Sequence, residues 1–261
     1  MLDGREDQAA GLRRLFRRAP PQVVALYAGG RRRADNAVLA AHRLAGRSQR
    51  VLVLDEAEAG STLSAALGVG EGVDLLQLLD GRSTLADVVQ AVPGLVGRVP
   101  VAAAALALPL LDDARRACLI EALRILHRHA GVVLVHAGSA QAGEPSPFVL
   151  AAPRRLVVAE ASASGATEAY QTIKGLAAAG AGSVHIAVCR ARGRADAAAF
   201  FRSLDALVRQ RVGVPLAWLG ELERDDIAAG LAAPLQSSAQ AAGAAFLRRV
   251  AGGSRAVVMR G

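Results

Sequence analysis

A chain of 261 residues has room for one large α/β domain with a substantial core, and is too short for two such domains joined by a linker. With 52% apolar, 21% charged and only 3% aromatic residues it is globular in composition and Ala-rich, which excludes a disordered or collagen-like chain. The net charge of +8 invites a nucleic-acid reading, but much of the excess lies on Arg5, Arg13, Arg14, Arg17, Arg18, Arg31, Arg32 and Arg33, and Cys118 and Cys189 lack the spacing of a metal site or a disulfide framework.

The pattern opens with a short basic helix over residues 7–18, halted by Pro20 and Pro21, whose fixed φ and missing amide hydrogens stop a helix. Leu12, Leu15 and Phe16 share one face of it, Asp7 stands as N-cap, and Gln8 lies in the first turn. Such a face suits a partner as well as its own domain.

Strands are then expected at residues 23–27, 51–54, 132–135, 156–159, 184–188 and 215–219, each a short run rich in Val, Leu or Ile. Helices are expected between them at 34–46, 112–130, 167–179, 195–210 and 224–230. Residues 99–111 are apolar but broken by Pro100 and Pro109, and read as buried strand and loop. This alternation predicts a doubly wound, mostly parallel sheet flanked by helices in a single domain over residues 21–235, preceded by an arm at 1–20.

Residues 236–261 are expected to form a short C-terminal helix and tail. Phe246, Leu247 and Val250 lie beside Arg248 and Arg249, a pattern that suits docking on the domain or contact with a membrane surface. No stretch reaches the roughly 18 uninterrupted apolar residues of a membrane span, and no leader pattern opens the chain, so a cytoplasmic location is expected.

The first strand runs into Ala28-Gly29-Gly30-Arg31-Arg32-Arg33-Ala34-Asp35-Asn36, a Gly-rich turn placed where α/β proteins bind phosphates. This stretch resembles the deviant Walker A motif KGGxGK(S/T) of the MinD/ParA ATPases, of which Gly29 and Gly30 match. The motif's first lysine falls at Ala28, its later glycine at Arg32, its Walker lysine at Arg33 and its Mg²⁺-binding hydroxyl at Ala34.

The second strand is similar to the family pattern VLLLDxDxG, keeping Asp55 but placing Ala57 at the second aspartate. His136 stands where the Walker B aspartate ends its strand, and Cys189 where a purine-contacting asparagine follows a late strand. Phosphoryl transfer depends on positioning and on metal-stabilised charge, so the joint loss of these groups implies no ATP hydrolysis and no catalytic residues. Gly29, Gly30, Arg33, Ala34 and Asp55 are then the remains of a nucleotide site. No cofactor is expected, Mg·ATP being the alternative, and no metal.

The segment Asp7-Gln8-Ala9-Ala10-Gly11-Leu12-Arg13 resembles the DQAxxLR arm of FlhG proteins, and Thr167-Glu168-Ala169-Tyr170 with Ile173-Lys174 resembles their T-D-A-Y-x-x-I-K pattern. Leu219-Gly220 with Arg224-Asp225 is similar to a family turn that carries a proline absent here. The resemblance implies an FlhG-type regulator of flagellar number or placement that binds the GTPase FlhF through Asp7, Gln8, Leu12, Arg13, Leu15 and Phe16. Flagellar basal-body components, a dimer and peripheral contact at the inner membrane or cell pole are further implied partners and places. A MinD-like ATPase that dimerises on ATP is the alternative reading, and a ParA-like DNA-associated partitioning protein a third. Nucleic acid is disfavoured because the arginines cluster on arm and loop.

Overall fold

The computed structural model describes residues 21–46, 50–58, 63–138, 145–181, 183–232 and 239–252. The arm, with Asp7, Gln8, Leu12, Arg13, Leu15 and Phe16, lies outside the described residues. All six expected strands are present: β1 (Gln22–Ala28), β2 (Val51–Asp55), β4 (Val132–His136), β5 (Arg154–Glu160), β6 (Val184–Cys189) and β7 (Leu216–Glu221). A seventh, β3 (Gly97–Pro100), completes one parallel sheet in the order β3-β2-β4-β1-β5-β6-β7.

The strands alternate between two cores. Val23, Ala25, Tyr27, Val133, Val135, Val157 and Ala159 face one side, and Val24, Leu26, Val132, Leu134, Leu156 and Val158 the other. Apolar side chains on both faces are what a central parallel strand requires, because helices cover it twice. The smaller core is closed by α1 (Arg33–Ala45) through Ala37, Ala40, Ala41 and Leu44. The larger is closed by α6 (Asp113–His129), α8 (Ala163–Ala178) and α9 (Arg194–Arg211).

Two of the long helices open on a side-chain cap. Asp112 accepts the Arg115 amide at 2.7 Å to open α6, whose Leu119, Ala122, Leu123 and Leu126 recur at helical spacing on the buried face. Ser162 accepts the Gly165 amide at 3.0 Å and opens α8 at Ala163, four residues before the expected start.

Residues 99–111 depart from expectation. The strand ends at Pro100, and α5 (Ala102–Ala107) follows, anchored by Asp74, whose carboxylate accepts the Ala103 and Ala104 amides at 3.0 and 3.1 Å. Among the described residues, three other short helices stand between β2 and β3: α2 (Ser64–Leu67), α3 (Leu75–Leu79) and α4 (Leu85–Val88). A fourth, α7 (Pro147–Ala151), precedes β5. The helix expected at 224–230 instead runs as α10 (Ile227–Ala232), because Asp225 folds back to accept the Glu221 amide at 2.8 Å and holds the preceding residues in a turn.

The C-terminal helix α11 (Ala239–Gly252) docks on the domain. Phe246 is fully buried, with its ring centroid 5.7 Å from that of His127 and 6.5 Å from that of Phe148, and Val250 is buried beside it. Among the described residues no helix is long and apolar enough to cross a membrane.

Candidate functional site

The C-terminal ends of β1, β4 and β5 meet at the centre of the sheet, where α/β domains place their ligands. A cavity of about 340 Å³ opens there, walled by Tyr27, Gly29, Arg33, His136, Gly138 and Glu168 among others.

The glycine turn forms one edge of it. Gly29 donates its amide to the Val158 carbonyl at 3.0 Å, which ties the end of β1 to β5. Gly30 has φ 90°, a conformation that side chains rarely tolerate, and its amide donates to Glu168 Oε2 at 2.8 Å. Asn36, buried in the first turn of α1, donates to the Gly29 carbonyl at 2.9 Å and accepts from Arg190 Nε at 3.3 Å. Arg31, Arg32 and Arg33 are exposed, and Arg33 is the first residue of α1, with Ala34 half-buried behind it.

Asp55 closes β2 beside His136, which lines the cavity, and is fully buried. Its Oδ2 accepts from Arg98 Nε at 2.7 Å and from the Leu63 amide at 2.9 Å. Its Oδ1 takes His136 Nδ1 at 2.8 Å and the Ala57 amide at 3.3 Å. Because an ionised carboxylate can only accept, His136 carries its proton on Nδ1. Burial alone pushes the Asp55 carboxyl up; the hydrogen bond and charge of His136, the Leu63 amide and the Arg98 guanidinium outweigh it and hold the group below the ordinary carboxylate range. Arg98 also donates through Nη1 to the Glu71 carbonyl at 2.8 Å and to Gln90 Oε1 at 2.6 Å, so its charge is matched inside the protein.

The two strand-end residues read separately from the sequence, Asp55 and His136, are therefore hydrogen-bonded to each other. Arg98 and Glu168, both central to the geometry, were not singled out as site residues. Glu168 stood within the T-D-A-Y-like stretch, so a signal for it existed; for Arg98 none did. Cys189 is buried at the end of β6, and burial pushes its thiol up to about 12, with the nearby charges of Glu223 and Glu160 adding to the effect. Among the described residues no group of three or more His, Cys, Asp or Glu is arranged to hold a metal ion.

Glu56, next to Asp55, is pushed up to about 7 by burial, against the hydrogen bond that Ser146 Oγ donates to it at 2.5 Å and with the Asp55 charge adding to the rise. A carboxyl raised on folding favours the folded state fully below its ordinary value of 4.5, and that contribution is lost as pH climbs through about 7. Stability is expected to fall by about 3 kcal/mol over this window, and Glu56→Gln to flatten that slope. Denaturant unfolding at about pH 5 and about pH 8 measures it; identical slopes for both proteins would remove Glu56 as the cause.

No family model matches the chain. Over 157 residues it is 29% identical to the antiactivator FleN of Pseudomonas aeruginosa, a match that covers 59% of this chain and 56% of that protein, so the chain spans just over half the length of this relative. In structure it resembles a ParA family ATPase from Chlorobium tepidum, at a TM-score of 0.52 and 16% identity over 89% of this chain and 98% of that one. It likewise resembles a chain of the MinC:MinD cell division protein complex of Aquifex aeolicus, at 0.51 and 16% identity over 88% and 96%. The fold is that of the MinD/ParA ATPases. Its sequence similarity to FleN points the same way as the FlhG resemblance read from its motifs.

Proposed function

We infer that this protein is a flagellar regulator of the FlhG type, controlling flagellar number or placement through an FlhF-type GTPase, and that its former nucleotide site does not hydrolyse ATP. The similarity to an antiactivator FleN supports the flagellar assignment. The observation that carries the silent site is the state of Asp55: the one acidic residue matching the family's nucleotide-site pattern has both oxygens engaged by Arg98, His136 and two amides. A metal there would have to displace a buried guanidinium, and Ala57 and Ala34 bring no oxygen ligand to help it. The residues present do not fit Mg·ATP, and no reaction step runs through it.

Function then rests on contacts made by the arm, with Asp7, Gln8, Leu12, Arg13, Leu15 and Phe16 as the binding residues and Gln8 set to orient a water in the partner's site. Dimerisation, basal-body contacts and a cytoplasmic position near the pole or the inner membrane belong to the same reading.

Two measurements test it. GTP hydrolysis by the cognate FlhF-type GTPase is expected to rise with a peptide of residues 1–20 and to lose that rise on Gln8→Ala; no stimulation would end the partner assignment. Calorimetry with Mg·ATP is expected to show no magnesium-dependent binding. Tight binding with ATP-driven dimerisation would establish the MinD-like ATPase in its place.

A further inference from the structure

The turn from β1 to α1 has the backbone form of an anion seat, a left-handed Gly30 followed by the N-terminus of a 13-residue helix. Amides in such turns point at negative charge. Here that charge comes from the chain itself. Glu168, in the first half of α8, brings Oε2 to 2.8 Å from the Gly30 amide, and the same oxygen lies 3.3 Å from where a Cβ on Gly29 would stand. Glu160, the last residue of β5, packs its carboxylate so closely over Gly30 that a Cβ there would collide with it. Two carboxylates thus cover two consecutive glycines, and Arg33 lines the same cavity as Glu168.

We propose that the Gly29-Gly30 turn is still an anion seat, that its resident anion is the Glu168 carboxylate, and that this internal plug keeps phosphate-bearing ligands out. The proposal rests on the silent-site reading above and gives it a second cause, independent of the missing metal ligands. An entering phosphate would have to displace Glu168 from the Gly30 amide and then sit against the like charge of Glu160, which adds repulsion to the lost hydrogen bond. The plug also ties α8 to the glycine turn through the Gly30 amide.

Titration of the isotope-labelled full chain with inorganic pyrophosphate, followed by amide NMR, tests this. In the wild type the Gly29, Gly30 and Arg31 amides are expected to stay still. In Glu168→Ala the Gly30 amide proton moves upfield before ligand is added, and pyrophosphate then shifts all three amides with an affinity at least about tenfold above wild type. Should that variant fail to fold, Glu168→Gln keeps the length and an oxygen that still accepts from Gly30 but removes the charge, and is expected to tighten pyrophosphate binding by less than Glu168→Ala. A folded Glu168→Ala that binds no tighter than wild type overturns the proposal, as does a wild type that binds pyrophosphate on this turn equally well. Failure of the GTPase stimulation would overturn the functional reading and leave these arms standing.

Discussion

Replacing Arg98 by alanine is expected to cost about 3–5 kcal/mol of folding stability, because it leaves the Asp55 carboxylate buried without its cationic partner. The pair lies at 2.7 Å with both side chains at most 1% exposed, so solvent neither screens it nor substitutes for it. The loss extends beyond the ion pair: the Glu71 carbonyl and Gln90 Oε1 also lose a donor, and they fix the segment that packs beside β3. Urea unfolding gives the number. The control is Asp55→Asn with Arg98→Met, which removes both charges together and is expected to recover much of the loss, since a buried pair exchanged for apolar groups is often neutral. A cost below about 1 kcal/mol for Arg98→Ala would mean that the pair behaves like a surface contact. The acid limb gives an independent check. Asp55 is held low in the folded state, so its contribution is present above the ordinary value of 3.8 and disappears as pH falls through its folded pKa; Asp55→Asn is expected to remove that limb.

The same ion pair shows what sequence could and could not reveal. β1, β2, β4, β5 and β6 were legible because their Val and Leu runs are buried on both faces, and periodic Ala and Leu residues made the long helices readable. β3 was legible only in part: residues 99–111 read as buried strand and loop, and the strand does end inside that stretch at Pro100, but its start at Gly97 and Arg98 has no strand-like composition and is fixed by pairing with β2. Of the short helices between β2 and β3, α3 and α4 open on side-chain caps rather than on periodicity; Thr84 and Asp87 do form a capping box, a local signal that was available. In the site, Gly29, Gly30 and Asp55 were legible from their places after the first two strands. Their partners were not, because 43 residues separate Asp55 from Arg98 and 138 separate Gly30 from Glu168, and such pairings arise only when the sheet order sets strand ends side by side. Loss of catalytic groups can be read residue by residue, whereas what fills their place is a property of the fold.

The second large effect concerns the C-terminal helix, whose apolar residues suit either a membrane surface or the domain itself. The structure answers with Phe246, which is fully buried between His127 and Phe148. Burial holds the His127 ring down to about 4, so near neutral pH it is an uncharged aromatic neighbour that accommodates Phe246 without desolvating a charge. Phe246→Ala is therefore expected to cost about 3–5 kcal/mol, the usual toll for emptying a buried phenylalanine site. Where that cost appears separates two kinds of helix. If α11 unfolds together with the sheet, thermal unfolding of the variant stays a single transition at lower temperature. If it detaches on its own, amide exchange across residues 239–252 accelerates while the strands keep their protection. Wild-type amides in α11 are expected to be protected in either case. A helix that exchanges like a free peptide in the wild type, and gains protection only when anionic vesicles are added, would show that Phe246 spends its time facing lipid and that the docked arrangement is not the resting state.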